Sequence, residues 1–172
     1  MVELSNRTRA HARALFRSSD VHAAERTLAI DCANNLPFLA DAGPGDLERV
    51  RFAVLRLSGG RLEDLAKAVR LAQTDWRDLL VAADFADDPQ AHAQWEPRRF
   101  DSDVLNLWMA GESLAGVAYS HNQAVSVRCG SGPQQPGTVI SLEGLEPEPR
   151  YLVELNSGKD VEFFQRHLAA VE

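Results

Sequence analysis

Cysteine, lysine and long apolar runs are all scarce in this chain, and each scarcity narrows what it can be. Two cysteines, Cys32 and Cys129, stand far apart with no Cys-x-x-Cys or Cys/His pairing. That spacing argues against a disulfide framework and a zinc site, and it fits a reducing compartment. Lysine occurs only at Lys67 and Lys159, against 16 arginines, which together with abundant alanine fits a GC-rich bacterial genome. No apolar run approaches the ~18 residues of a membrane span. Met1 to Ala10 is polar and lacks an apolar h-region, so no signal peptide is expected. The expectation is a cytoplasmic protein without membrane association.

The usual marks of chemistry are missing as well. There is no Gly-rich phosphate loop after a strand, no G-x-S-x-G elbow and no H-E-x-x-H. The five histidines, His11, His22, His92, His121 and His167, are scattered, and none is spaced to share a helix face with a second ligand. Glu63/Asp64 and Asp87/Asp88 look like solvated charge near helix ends, and Ser131 and Cys129 have no adjacent base in sequence. No catalytic residue, metal ligand or cofactor is predicted, and the chain reads as non-enzymatic.

What is there describes an ordinary globular protein. Hydrophobic residues at 45% and charged ones at 25% exclude a disordered chain, and 172 residues suffice for one good core or two small domains. The net charge of −7 is uneven: residues 1–84 hold 12 basic and 12 acidic side chains, residues 85–172 hold 6 and 13. An acidic second half disfavours polyanion binding by long-range attraction.

The first 85 residues carry a helical period. Leu47, Val50, Val54 and Leu57 recur at three, four and three, leaving Glu48, Arg51 and Arg56 for a polar side. Asp46 is the expected N-cap and Gly59 the left-handed end residue. A second helix carries Leu62, Leu65, Ala66, Val69 and Ala72, and a third, with Thr74 as its expected cap, carries Trp76, Leu79, Leu80 and Ala83. Upstream, residues 5–18 form a helix capped by Ser5, and a second runs from Asp20 to about Asn35. Pro37 opens a short helix ending at Gly43-Pro44. Arg9, Arg13 and Arg17 repeat every four residues, with no acid from Leu4 to Ser19. This basic stripe is the candidate partner-binding face, set against the plainer expectation of a face that is solvated or paired with the protein's own acids.

Leu65, Ala66, Val69, Leu71, Trp76 and Leu79 fall where helix-turn-helix motifs place apolar or small residues, so this stretch resembles such a motif. It departs at Arg70, where the turn glycine is common, and in a recognition helix offering Asp75 and Asp78 against a single Arg77. An inserted helix needs net positive charge. Plain core packing is the preferred reading, and nucleic acid is not an expected partner.

From Ala86 to Ser102 the period dissolves around Asp87-Asp88-Pro89 and Pro97. Phe85, Trp95 and Phe100 make this stretch too apolar for a free linker. Ser102 then caps a helix with Val104, Leu105, Trp108 and Met109, ended by Gly111. Trp95, Phe100 and Trp108 are assigned to packing at a joint between domains.

The last third changes period from 3.6 to 2. Val125, Val127 and Cys129 alternate with Ser126 and Arg128; Thr138–Leu142, Tyr151–Leu155 and Lys159–Phe163 also read as strands. Gly130–Gly137 is an expected loop, Glu146-Pro147-Glu148-Pro149 a second connection, and Asn156-Ser157-Gly158 a tight hairpin turn. A helical turn at Phe164–His167 precedes a closing strand, Leu168–Val171. Over residues 123–172 this order, carried by Val125-Ser126-Val127, Gly137-Thr138-Val139, Tyr151-Leu152-Val153 and Gly158, resembles the SH3-like barrels. Tudor and KOW modules and the small barrel of nitrile hydratase β subunits are the relatives it suggests. The resemblance implies a fold and carries no functional residue with it. Tyr119, Tyr151, Phe163 and Phe164 are the only aromatics near a Tudor-type cage, and Tyr151 and Phe163 alternate in phase with the core. Glu146 and Glu148 occupy loops that a KOW module touching RNA keeps basic.

The expected fold is α+β: an all-helical N-terminal domain of about five helices (1–85), an ordered connection with one helix (86–122), and a C-terminal SH3-like five-stranded β-barrel (123–172). The expected role is that of a non-catalytic adaptor, accessory subunit, immunity factor or regulator that binds another protein. Two alternatives stand beside it, a nucleic-acid-associated regulator with a degenerate helix-turn-helix and a subunit of an enzyme with a nitrile hydratase-like barrel. Oligomeric state is not legible.

Overall fold

The computed structural model describes residues 3–34, 36, 43–128 and 132–171. The short helix expected from Pro37, together with Cys129 and Ser131, lies outside the described residues. The chain divides into two compact units, Met1–Arg99 and Phe100–Glu172. Residues 86–99 of the expected connection therefore fall with the helices, and 100–122 with the sheet.

The first unit contains, among the described residues, α1 (Asn6–Leu15), α2 (Val21–Ala29), α3 (Pro44–Ser58), α4 (Leu62–Thr74), α5 (Trp76–Ala82) and a single turn, α6 (Ala91–Gln94). It is built around α3, which packs against α1, α4, α5 and α6. Phe52, Ala53, Val54 and Leu55 are four consecutive residues with no exposed surface, so the middle of this helix is buried on every side and has no single apolar stripe there. The expected polar side is corrected at Arg51, while Glu48 and Arg56 are half-buried. Arg51 is 4% exposed; its Nε donates to the Leu28 carbonyl at 3.1 Å and its Nη1 to the Glu3 carbonyl at 3.3 Å. A buried guanidinium is tolerable only when its donors find acceptors, and here two carbonyls at the edges of neighbouring segments supply them. Arg49 donates to the Phe85 carbonyl, and Arg56 donates to the Ala83 carbonyl at 2.7 Å and to Asp84 Oδ2 at 3.1 Å.

Several helix ends sit one or more residues from where the sequence pattern put them. Ser5 caps α1 as expected, its Oγ accepting from the Thr8 amide at 3.0 Å. Asp46 is the third residue of α3, reaching back to the Gly43 amide at 2.9 Å. Asp75 caps α5 in place of Thr74, accepting from the Arg77 and Asp78 amides at 2.9 and 3.4 Å. Thr74 closes α4 by donating to the Arg70 carbonyl at 2.9 Å. Helix α2 stops at Ala29, and residues 30–34 continue as turns. Between α3 and α4, Gly59 (φ 52°) and Gly60 (φ 79°) are left-handed. A Cβ on Gly60 would come within 2.3 Å of the Leu15 carbonyl oxygen, so the turn lies hard against the end of α1.

The second unit opens with α7 (Ser102–Met109), capped by Asp101, whose Oδ1 accepts from the Asp103 and Val104 amides at 3.1 Å each; the cap expected at Ser102 is again displaced by one. Strands β1 (Ala124–Arg128), β2 (Gln134–Gly144), β3 (Arg150–Leu155), β4 (Asp160–Phe164) and β5 (Leu168–Ala170) follow, with a 3-10 turn at Gln165–His167. All pairings are antiparallel and the order is β4-β3-β2-β1-β5. The α+β class holds. The expected closed barrel is corrected: among the described residues β4 and β5 pair on one side only, so the sheet is open. The expected loop at 130–137 is corrected as well, since β2 already begins at Gln134.

Alternation accounts for the sheet core of Val125, Val127, Val139, Leu142, Tyr151, Val153 and Phe163. Val139 and Leu142 are three apart and would face opposite ways in a regular strand. A register shift between Val139 and Ser141 brings both inward. Gly137 lets β2 and β3 approach, because a Cβ there would sit 2.7 Å from Val153 Cγ1. Residues 114–123 lie on the sheet through two tyrosines. The Tyr151 hydroxyl donates to Gln165 Oε1 at 2.8 Å and accepts from the Ala118 and Tyr119 amides at 3.2 and 3.3 Å. Tyr119 donates to the Leu168 carbonyl at 2.8 Å, and Trp108 Nε1 donates to the Tyr119 carbonyl at 2.8 Å. Burial pushes both phenols above their ordinary pKa.

Gly60→Ala should destabilise the protein by about 2–4 kcal/mol in urea unfolding, combining left-handed strain with backbone overlap. Gly111→Ala, with φ 89° but open space around it, should cost only about 1 kcal/mol; equal losses would refute the packing argument. Tyr151→Phe should cost about 1–3 kcal/mol by leaving the Tyr119 amide without its acceptor, and an unchanged midpoint would show that the hydroxyl does not hold residues 114–123 on the sheet.

Candidate functional site

The arginine stripe lies on α1 and just beyond it. Thr8, His11, Ala12 and Phe16 are turned into the core, which leaves the intervening arginines toward the surface. Arg9 is half-buried, with its Nη2 3.7 Å from Glu3 Oε1 and its Nε donating to the Leu4 carbonyl at 3.4 Å. Arg13 is exposed and lies 3.4 Å from Glu25 of α2. Arg17 follows the C-cap, Phe16, and has no ion pair among the described residues. Two of the three arginines thus meet acids of their own unit, and exposed pairs of this kind are worth about 0–1 kcal/mol each.

Beside the stripe, the start of the chain and α2 enclose a cleft of about 490 Å³, in the range of ordinary ligand sites. Leu4, Ala29 and Ile30 supply apolar wall; Arg9, Arg26 and His22 supply cationic or titratable groups; Glu3 and Glu25 supply acids. Arg26 is exposed and has no ion pair among the described residues, whereas Glu25 is engaged by Arg13. The cleft therefore joins a small apolar surface to an uncommitted guanidinium. The sequence pointed to the stripe but not to the cleft, because Leu4 and Ile30 stand just outside their helices and add nothing to either apolar period.

The aromatic residues assigned to a joint pack within their own units. Trp95 lies against the helical core, while Phe100 and Trp108 lie against the sheet core, with Trp108 2% exposed. Tyr151 and Phe163 are buried in the sheet, so neither is available to an aromatic cage. In the stretch resembling a helix-turn-helix, Asp75 alone separates α4 from α5. Leu79 and Leu80 are buried, and the Arg77 guanidinium lies over the Trp76 ring at 5.3 Å.

Among the described residues no group of three or more His, Cys, Asp or Glu is placed to hold a metal ion. No described helix is long and apolar enough to cross a membrane. Cys32 is fully buried, and burial pushes its thiol up to about 12, which removes the thiolate a nucleophile needs. His11 is 3% exposed, between the Phe52 ring at 4.6 Å and the Trp95 ring at 5.1 Å, with Nε2 3.3 Å from Glu96 Oε2. Arg7 donates to the Trp95 carbonyl and to Glu96, both at 3.3 Å, so residues 95–96 are fastened to α1.

Burial lowers the His11 pKa below its ordinary 6.5, and Arg7 adds to this; Glu96 and Glu48 oppose it without reversing it. A depressed histidine contributes stability that is complete above its unfolded pKa and is lost as pH falls through its folded one. The unfolding midpoint should therefore drop between pH 7.5 and pH 5, and His11→Gln should flatten that dependence. An identical slope in both proteins would assign the effect elsewhere.

No protein-family model, curated protein or solved structure matches the chain.

Proposed function

We propose that this chain is a non-catalytic bacterial interaction protein, an adaptor, accessory subunit, immunity factor or regulator acting in the cytoplasm, whose helical unit docks a protein partner on the face formed by α1 and α2. The observation that carries the reading is the cleft of about 490 Å³, whose apolar wall adjoins Arg26, a guanidinium with no ion pair among the described residues, while Arg13 and Arg17 are exposed on the stripe. Cationic rims around a small apolar surface steer and orient acidic partners more than they add affinity. The second unit fits the same role as an SH3-like module. Its strand order supports that reading, since three residues, Gln165–His167, join edge strand β4 to edge strand β5. A flat five-stranded sheet would separate its edges by about 19 Å, beyond so short a link, which favours a rolled, SH3-like sheet.

The immobilised full chain and its Arg9→Ala/Arg13→Ala/Arg17→Ala variant should be compared by quantitative capture from the source cell at low and high salt. Partners held by the parent at low salt should fall about tenfold with the variant, as expected for the loss of a steering rim. The same proteins at the same yield from both would overturn the docking face.

A further inference from the structure

Charge in the α1–α2 cleft is distributed in a way that selects an occupant. Glu25 lies 3.4 Å from Arg13, although its Oε1 accepts no hydrogen bond among the described residues. Glu3 is 88% exposed on its side chain and sits 3.7 Å from Arg9, a pairing loose enough to be exchanged at little cost. Arg26, at the last turn of α2, has no acid of its own among the described residues. Beside it, Leu4, Ala29 and Ile30 line the cleft, Leu4 buried and the other two half-buried. The volume accommodates a few side chains and not a folded surface.

We propose that this cleft recognises an acidic residue adjacent to an aliphatic one in an extended segment of a protein partner. The carboxylate pairs with Arg26 and draws Arg9 from Glu3, and the aliphatic side chain covers Leu4, Ala29 and Ile30. The proposal rests on the α1–α2 face being the docking face and names the chemistry it reads. A cationic ligand would face both Arg9 and Arg26. A nucleic-acid strand would leave the apolar wall unused. A guanidinium and a carboxylate suit one another because the planar fork offers two parallel donors.

The test uses the full chain, isotope-labelled, titrated with a blocked hexapeptide of alternating Asp and Leu while amide resonances are followed by NMR. Resonances of Leu4, Ala29 and Ile30 should shift and saturate, and Arg26→Ala, a surface change, should weaken binding about tenfold. Peptides with Asn for Asp, or Gly for Leu, should bind at least tenfold more weakly. No shift at these residues at millimolar peptide, an unchanged affinity in Arg26→Ala, or equal binding of the Asn peptide would each overturn the proposal. Equal affinity for free 4-methylpentanoate would overturn it in favour of a small organic acid, and binding of a thymidine oligonucleotide in place of the peptide would do so in favour of nucleic acid. If the peptide fails while the triple-arginine variant still loses its partners, the docking face survives and only this cleft chemistry falls.

Discussion

The helical unit depends on the middle of α3 being enclosed on all sides. A helix segment without a solvated face cannot be stabilised by pointing its polar residues at water, so a polar side chain there has to find a partner in a neighbouring segment. Arg49, Arg51 and Arg56 do this by donating to backbone carbonyls of Phe85, of Leu28 and Glu3, and of Ala83. Each guanidinium thereby ties down a stretch that leaves a helix or precedes one. The arginines of α3 act as fasteners for the surrounding segments, and the apolar contacts of Phe52 to Leu55 supply the burial that holds the helix in place.

The sheet unit solves a related problem with tyrosines. A long irregular segment between α7 and β1 carries backbone amides that need acceptors. The Tyr151 hydroxyl and Gln165 side chain supply them from the sheet, and Tyr119 returns a donor to the Leu168 carbonyl at the start of β5. Aromatic side chains that look, by count alone, like material for a recognition cage are spent on internal closure. Their buried bodies and bonded hydroxyls are the physical reason a methyl-lysine reader is not the favoured reading.

The same logic separates the two histidine and arginine environments of α1. On one side, His11 and Arg7 secure residues 95–96 and are consumed by the fold. On the other, Arg9 and Arg13 meet Glu3 and Glu25, and Arg9 lines the cleft together with Arg26 of α2. One short helix thus carries one set of charges consumed by the fold and another held in exposed ion pairs. Sequence spacing treats them alike.

By itself the sequence determined the division into a helical first part and a stranded last part, because a 3.6-residue and a 2-residue period cannot be confused over this many residues. It also determined Ser5 as a cap, the break at Ser58-Gly59-Gly60, and the inward phase of Tyr151 and Phe163. Only the tertiary structure decided that Arg51 is buried, since a stripe of apolar residues predicts one covered face and not how many neighbours gather round it. Neighbours likewise chose among adjacent cap candidates at 74–75 and 101–102, where either residue type satisfies the local rule. The open order of the sheet and the cleft between α1 and α2 were beyond sequence reading for one reason. Both arise from residues distant along the chain meeting in space, and pattern within a single element carries no record of that meeting.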